Sequence, residues 1–331
     1  MDIFTSLFNV NLIWFALGFF TVWMIIFGGL VNSAFESHVP KLFSDAFRYG
    51  KTARSGSSNI LVRSIELPKS YFLHFYIFAS LYIPFLLYLC VDVYIFRNEA
   101  PSWTTNALDK LCTTGRPNSA TPEGVLLAMS LLTVQVFRRL YECLFINVQS
   151  NSKMNVLHYI VGYVHYFCAG SGILCEATGF TYIEPFDVHI EQGRKHTIQW
   201  LHVEFNWQRV TIIQFVACLI FLWTWKHQYI HHKIFAQLKK QLAVCGSKEA
   251  HSIPYGDWFY YISCPHYFAE ILMYACLSVI LGITKHRTGL FIFIWVLINQ
   301  VIAGLMSHFW YIEKYSDAYP KNRKAVIPFI L

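Results

Sequence analysis

Apolar residues along this chain gather in long unbroken runs, with neither the two-residue alternation of a half-buried strand nor the one-sided stripe of a soluble helix. Seven runs stand out, over 10–31, 72–96, 124–148, 156–179, 210–230, 267–284 and 289–306. About 20 residues at 1.5 Å each cross a hydrocarbon core of about 30 Å, so every run predicts a transmembrane helix, the fifth and sixth marginally. The first run is uncharged between Ile3 and Phe35 and has no basic segment before it, so it reads as a retained span and not as a cleaved leader. The pattern predicts an all-α polytopic membrane protein, one helical domain over 1–331 with about seven transmembrane helices in one bundle.

The polar intervals orient that bundle. With the N-terminus lumenal, sixteen Lys and Arg side chains fall in cytosolic intervals and the tail, against eight in lumenal ones. The positive-inside rule then favours a lumenal N-terminus and a cytosolic C-terminus. Composition agrees: 55% of residues are hydrophobic and 14% charged, where a soluble domain carries about 25% charged residues. The net charge of +7 is spread through the loops without a long basic tract, which argues against nucleic acid as a partner. Nine cysteines include no CxxC pair and no zinc spacing, and six of them lie in apolar runs. Neither a disulfide framework nor a structural metal is expected.

Charged and polar groups inside apolar runs are costly to insert and therefore informative. The stretch 253–270, IPYGDWFYYISCPHYFAE, enters an apolar run carrying His266 and Glu270 on one helical face. Glu66, with Leu67 and Pro68, stands at the cytosolic mouth of the second run. It reads either as a residue favourable to a helix dipole or as an acid facing a membrane-embedded substrate. Arg138 and Arg139 interrupt the third run with Glu142 one turn on. They read as an interfacial ion pair or as a phosphate holder, and two adjacent arginines are not expected to face one partner. His227, His231 and His232 form an HxxxHH resembling one box of a membrane di-iron enzyme, but the remaining histidines supply no further boxes, so no metal is expected. Gly170 and Gly172 suit close helix packing better than a dinucleotide loop. The phosphates of any dinucleotide would have to meet side chains such as Lys239, Arg323 and Lys324.

Joined to the late His308-x-x-Tyr311 and the tail YPKNRKAVIPF from Tyr319, the 253–270 stretch resembles the C-terminal signature of the steroid 5-alpha-reductases. The GDWF and SCPHY runs, LPKSYFLHFY from Leu67 and FRRLYECLF from Phe137 are similar to the branch that reduces polyprenols. The resemblance is strong across 228–331, patchy over 66–180 and absent before about residue 60. It implies a multi-pass NADPH-dependent reductase of the endoplasmic reticulum membrane, with 228–331 as its NADPH-binding portion. The reaction implied is reduction of the alpha-isoprene double bond of polyprenol or polyprenal, toward dolichol for protein N-glycosylation, with 3-oxo-5-alpha-steroid 4-dehydrogenase activity as a further expectation. By position, Glu66 matches the family's proton donor and His266 a catalytic position. Gln228, His232, Lys239, Asp257, Tyr267, Glu270, His308, Tyr311, Arg323 and Lys324 fall on cofactor positions. Three departures stand out: Val136 replaces a substrate-contacting tyrosine, Gln228 and His232 replace an Asn and an Asp, and one extra residue lies between Tyr311 and Pro320.

Hydride adds readily to a double bond conjugated with a carbonyl, because the developing enolate oxygen accepts stabilisation from a placed donor. An isolated allylic alcohol offers no such sink, so the aldehyde polyprenal is the expected substrate. Three other readings stay open at this point: a prenylcysteine carboxyl methyltransferase-like enzyme, a lipid-binding scaffold and a di-iron oxygenase.

Overall fold

A computed structural model of the chain describes residues 10–48, 52, 65–148, 152–181, 203–246 and 251–331. The loop cations Lys51, Arg54, Arg63, Arg194, Lys195 and Lys248, together with His196, His202 and the SGSS segment at 55–58, lie outside the described residues. All seven apolar runs fold as helices. In chain order come α1 (Leu12–Val31), the short α2 (Lys41–Phe47), strand β1 (Glu66–Pro68) and α3 (Phe72–Tyr94). Next are α4 (Ser102–Cys112), α5 (Pro122–Tyr141) with a π-helical extension Glu142–Ile146, and strand β2 (Lys153–Asn155). The remaining helices are α6 (Val156–Cys175), α7 (Ile212–Val244), α8 (Pro265–Leu281) and α9 (Arg287–Tyr315).

Four of these helices are long and apolar enough to cross a membrane: α1, α3, α5 with its extension, and α9. The other three differ from the expected spans for separate reasons. Helix α8 has only 17 residues. Helices α6 and α7 have 20 and 33 residues but are diluted by polar groups, among them His158 and His165 in α6 and Lys226, Gln228 and His231 in α7.

Helix starts follow local chemistry. Asn11, Thr121, Asn155 and Thr211 each accept a bond from a first-turn amide, and Thr211 with Gln214 forms a capping box. Helix α3 packs on α5 and α6, α7 on α8, α8 on α9, and α9 on α1. Gly170 and Gly172 act as expected: a Cβ on the first would meet Ile83 of α3 at 2.7 Å, and on the second Ile292 of α9 at 2.8 Å.

One end of the bundle is tied by buried polar groups. Arg116 reaches Asp109 and the carbonyls of Cys175 and Phe180. The Glu176 carboxylate accepts the amides of Arg287 and Thr288, where its charge complements the α9 dipole. Here the cysteine expectation is corrected, because Cys112 is bonded to Cys175. The partners lie 63 residues apart, one closing α4 and the other closing α6, so no local spacing announces the pair.

At the other end, β1 and β2 pair antiparallel, Glu66 opposite Asn155 and Pro68 opposite Lys153. The chain from Tyr261 to Cys264 exchanges backbone bonds with Lys324 and Ala325 of the tail. The tail is thus a structural wall beside α8.

Candidate active site

Helices α5, α7 and α8 meet around Gln228, which is buried on α7. Its amide nitrogen donates to the Glu270 carboxylate and, at 3.0 Å, to the His266 carbonyl. Its amide oxygen accepts from Gln135 at 3.1 Å and from Arg138. Gln135 donates also to Glu270 at 3.2 Å, while Arg138 reaches Gln135 at 2.7 Å and the Trp225 carbonyl at 2.6 Å. Both Gln228 donors and its acceptor oxygen are therefore in use, which fixes the spacing of three helices. Because α8 begins at Pro265, His266 lies in its first turn and Glu270 one turn further, on the face Gln228 spans.

A second group adjoins the first. Arg139 pairs with Glu142 and His232, and donates to the Tyr76 hydroxyl of α3 through Nη2 at 2.8 Å and Nε at 3.2 Å. Glu142 is fully buried. The expectation that adjacent arginines cannot share a partner is overturned. Arg138 approaches Glu142 Oε1 at 3.5 Å while Arg139 takes Oε2, because the helix widens to π geometry at Glu142 and the carboxylate reaches both.

The HxxxHH triplet is divided between two carboxylates. His227 and His231 face Asp257, at 2.8 and 3.2 Å, whereas His232 faces Glu142 at 2.6 Å. Among the described residues, no three His, Cys, Asp or Glu side chains converge in the way a metal site requires.

The tail builds a third group. His308 Nδ1 lies 2.6 Å from Ser263 Oγ, which also meets the Tyr319 hydroxyl at 2.5 Å. Tyr311 stacks on Tyr319 with ring centroids 5.5 Å apart. The Arg323 guanidinium sits 4.7 Å from the Tyr255 ring and 5.5 Å from that of Tyr319. Only 3% of this residue is exposed, yet its Nε and Nη1 have no hydrogen-bond partner among the described residues. Tyr267, its ring 4.1 Å from that of His266, packs beside Val326 of the tail and joins the groups.

Gln228, His232, His266, Tyr267 and Glu270 are therefore brought together, and His308, Tyr311 and Arg323 form the adjoining wall. Asp257 meets His227 and His231 on a neighbouring face of α7, and Lys239 donates to the Val148 carbonyl at 3.4 Å. The Lys324 side chain is exposed while its backbone joins the wall. Glu66 has none of these partners. It lies on β1 with the Lys153 ammonium at 3.6 Å. Sequence reading passed over Gln135 and Tyr76. Gln135 is a neutral amide three residues before Arg138, on the same helical face, and that i,i+3 spacing was the available signal.

Residues 152–331 match the family described as 3-oxo-5-alpha-steroid 4-dehydrogenase. A protein of Drosophila melanogaster named polyprenal reductase is 34% identical over 98% of this chain and 94% of its own. Its namesake in Homo sapiens is 33% identical over 87% and 86%, and that of Danio rerio 31% over 97% and 98%. The chain belongs to the steroid 5-alpha-reductase family. It is an oxidoreductase acting on CH–CH groups, and members of this family typically use a nicotinamide cofactor. The likeness also reaches well before residue 60, further than the motifs alone suggested. Neither the family match nor the relatives' names favour a methyltransferase.

The residues fit a nicotinamide dinucleotide. A buried guanidinium with two unpaired donor nitrogens costs several kcal/mol unless an anion meets it, and a phosphate is such an anion. Half-buried Lys239 stands on the extension of α7 beyond the apolar run, and burial holds its pKa below the ordinary lysine range.

Proposed function

We propose that this protein reduces the alpha-isoprene double bond of a polyprenal with NADPH, in the endoplasmic reticulum membrane, as a step toward dolichol for protein N-glycosylation. The observation that carries the reading is the likeness to polyprenal reductases along nearly the whole chain. The chemistry supports the aldehyde as substrate, since its carbonyl is the electron sink that an allylic alcohol lacks. When bound, reduced nicotinamide supplies the hydride. Arg323, Lys324 and Lys239 are assigned to its phosphates. Gln228, His232, Asp257, Tyr267, Glu270, His308 and Tyr311 are assigned to its sugar and ring, with His266 beside the reacting atoms. Glu66 is assigned the proton that completes the saturated product.

A lumenal N-terminus and cytosolic C-terminus belong to the same proposal. Two observations support it: the sixteen-to-eight cation bias and a disulfide at the end opposite the cofactor wall, since disulfides persist in oxidising compartments. Seven crossings follow if α6, α7 and α8 traverse the bilayer shielded by their neighbours.

Purified protein in lipid nanodiscs, given NADPH and polyprenal, polyprenol or testosterone in turn, tests the assignment. NADPH consumption with formation of saturated aldehyde from polyprenal is expected, with little from the others. Efficient turnover of the alcohol with no aldehyde formed, or none of polyprenal, overturns it.

A further inference from the structure

We infer that Tyr76 of α3 is the donor that receives the substrate's carbonyl oxygen, and so is a catalytic residue contributed from outside the C-terminal portion. The inference rests on the polyprenal reading above and names a group within the same site.

The reaction creates a demand for such a donor. A hydride arriving at the β-carbon of an enal brings two electrons. The carbon–carbon π pair shifts toward the carbonyl carbon, and the carbonyl π pair moves onto oxygen. When the α-carbon then takes a proton, the carbonyl re-forms, and the net change is one hydride and one proton added to the enal. The oxygen carries negative charge only in between. A hydrogen-bond donor already placed there stabilises that charge and is worth roughly 10²–10³ in rate.

The donors of the cluster are mostly spoken for. Both amide protons of Gln228 serve Glu270 and the His266 carbonyl. Gln135 serves Gln228 and Glu270. The terminal nitrogens of Arg138 serve Trp225, Gln135 and Gln228, which leaves only its inner Nε without a partner among the described residues. Arg139 spends one nitrogen on Glu142 and His232 and the other two on Tyr76.

Tyr76 is different. A phenol oxygen has two lone pairs and one proton. Both lone pairs face Arg139 donors, and the proton has no acceptor among the described residues. A buried hydroxyl that accepts from a cation is polarised toward giving its own proton, so the guanidinium strengthens the donor it holds. The ring is also held in place. It packs between Phe75, at 4.6 Å, and Tyr166, at 5.9 Å. One turn on, Ser80 donates to the Val136 carbonyl at 3.3 Å, which pins α3 to α5 at that level. Through Arg139 and His232 the hydroxyl is linked to the start of α8, where the His232 and His266 rings lie 5.9 Å apart. A relay of side-chain contacts thus joins the oxygen-binding donor on α3 to the proposed cofactor contacts on α7 and α8.

The test uses full-length protein in nanodiscs and polyprenal carrying ¹³C at the aldehyde carbon. Infrared difference spectra with oxidised cofactor present report the hydrogen bond to the carbonyl without turnover. In the wild type the carbonyl band is expected below its position in free lipid. In Tyr76→Phe it is expected at the free position, with reduction slowed at least about 100-fold and NADPH affinity unchanged. An equal band shift and an equal rate in the two proteins overturn the inference while leaving the polyprenal reading intact. A wild type that neither shifts the band nor reduces polyprenal overturns that reading first. Should Tyr76→Phe fold poorly by thermal melting, 3,5-difluorotyrosine at position 76 preserves the packing and strengthens the donor. A larger downshift than wild type then supports the role, and an unchanged band refutes it.

Discussion

Arg323 carries its charge where water scarcely reaches it, between two tyrosine rings and with two nitrogens unsatisfied. Burial pushes the Tyr319 phenol above its usual range, so the ring beside the guanidinium stays neutral and cannot act as its counterion. Arg323→Met should keep the apolar stem packed while removing the charge. NADPH affinity is then expected to fall about 10- to 100-fold, or about 1.4 to 2.8 kcal/mol, measured by titration calorimetry. Arg323→Lys should not restore it, because an ammonium lacks the flat fork that two rings sandwich. Wild-type affinity in the Met variant would show that the anion is held elsewhere. The same scale shows what the sequence makes legible. His266, Glu270 and Arg323 are visible as charges or imidazoles placed in apolar or motif contexts. Gln135 and Tyr76 are not, because a neutral amide and a phenol are common in membrane helices and reveal their use only when three-dimensional neighbours appear.

Elements tell a similar story. The seven helices are legible because each apolar run is long, and the ends of most are marked by Asn, Thr or Pro. The β1–β2 pair is not legible, since three-residue strands separated by about 85 residues leave no periodic trace. The tail's role was hidden as well: nothing in its spacing announces the pairing of Lys324 and Ala325 with 261–264. That pairing depends on Gly304 of α9, where a Cβ would lie 2.1 Å from a methyl of buried Val326. Gly304→Ala should displace the tail and cost about 1–3 kcal/mol, with NADPH affinity falling in parallel. Gly18 of α1 offers the control, for a Cβ there meets nothing within 4 Å, and Gly18→Ala should leave both unchanged or raise stability slightly. Thermal melts and cofactor titrations of the two variants decide the matter; a tolerant Gly304→Ala would mean that the tail is not held by this contact.

At the scale of the whole molecule, the two ends of the bundle do different work. One is closed by the Cys112–Cys175 bond and by Arg116 and Glu176, and the other holds the polar cluster. The disulfide closes a 63-residue separation, for which chain entropy alone gives about 4 kcal/mol. Helices already threaded through a bilayer have less freedom to lose, so the realised figure should be smaller. Cys112→Ser is therefore expected to lower the melting temperature in detergent by a few degrees while sparing the rate of polyprenal reduction. The double variant with Cys175→Ser should match it. A fall in rate without a fall in melting temperature would show that the two ends are coupled.

The wall formed by the tail has a consequence for genetics. Most genes tolerate loss of a few final codons, because chain ends are commonly loose. Here a stop introduced anywhere between Tyr319 and Arg323 would delete the sandwiched guanidinium and the backbone bonds that Lys324 and Ala325 make with 261–264. Alleles truncated there should behave as nulls, although every one of the helices α1 to α9 would still be translated.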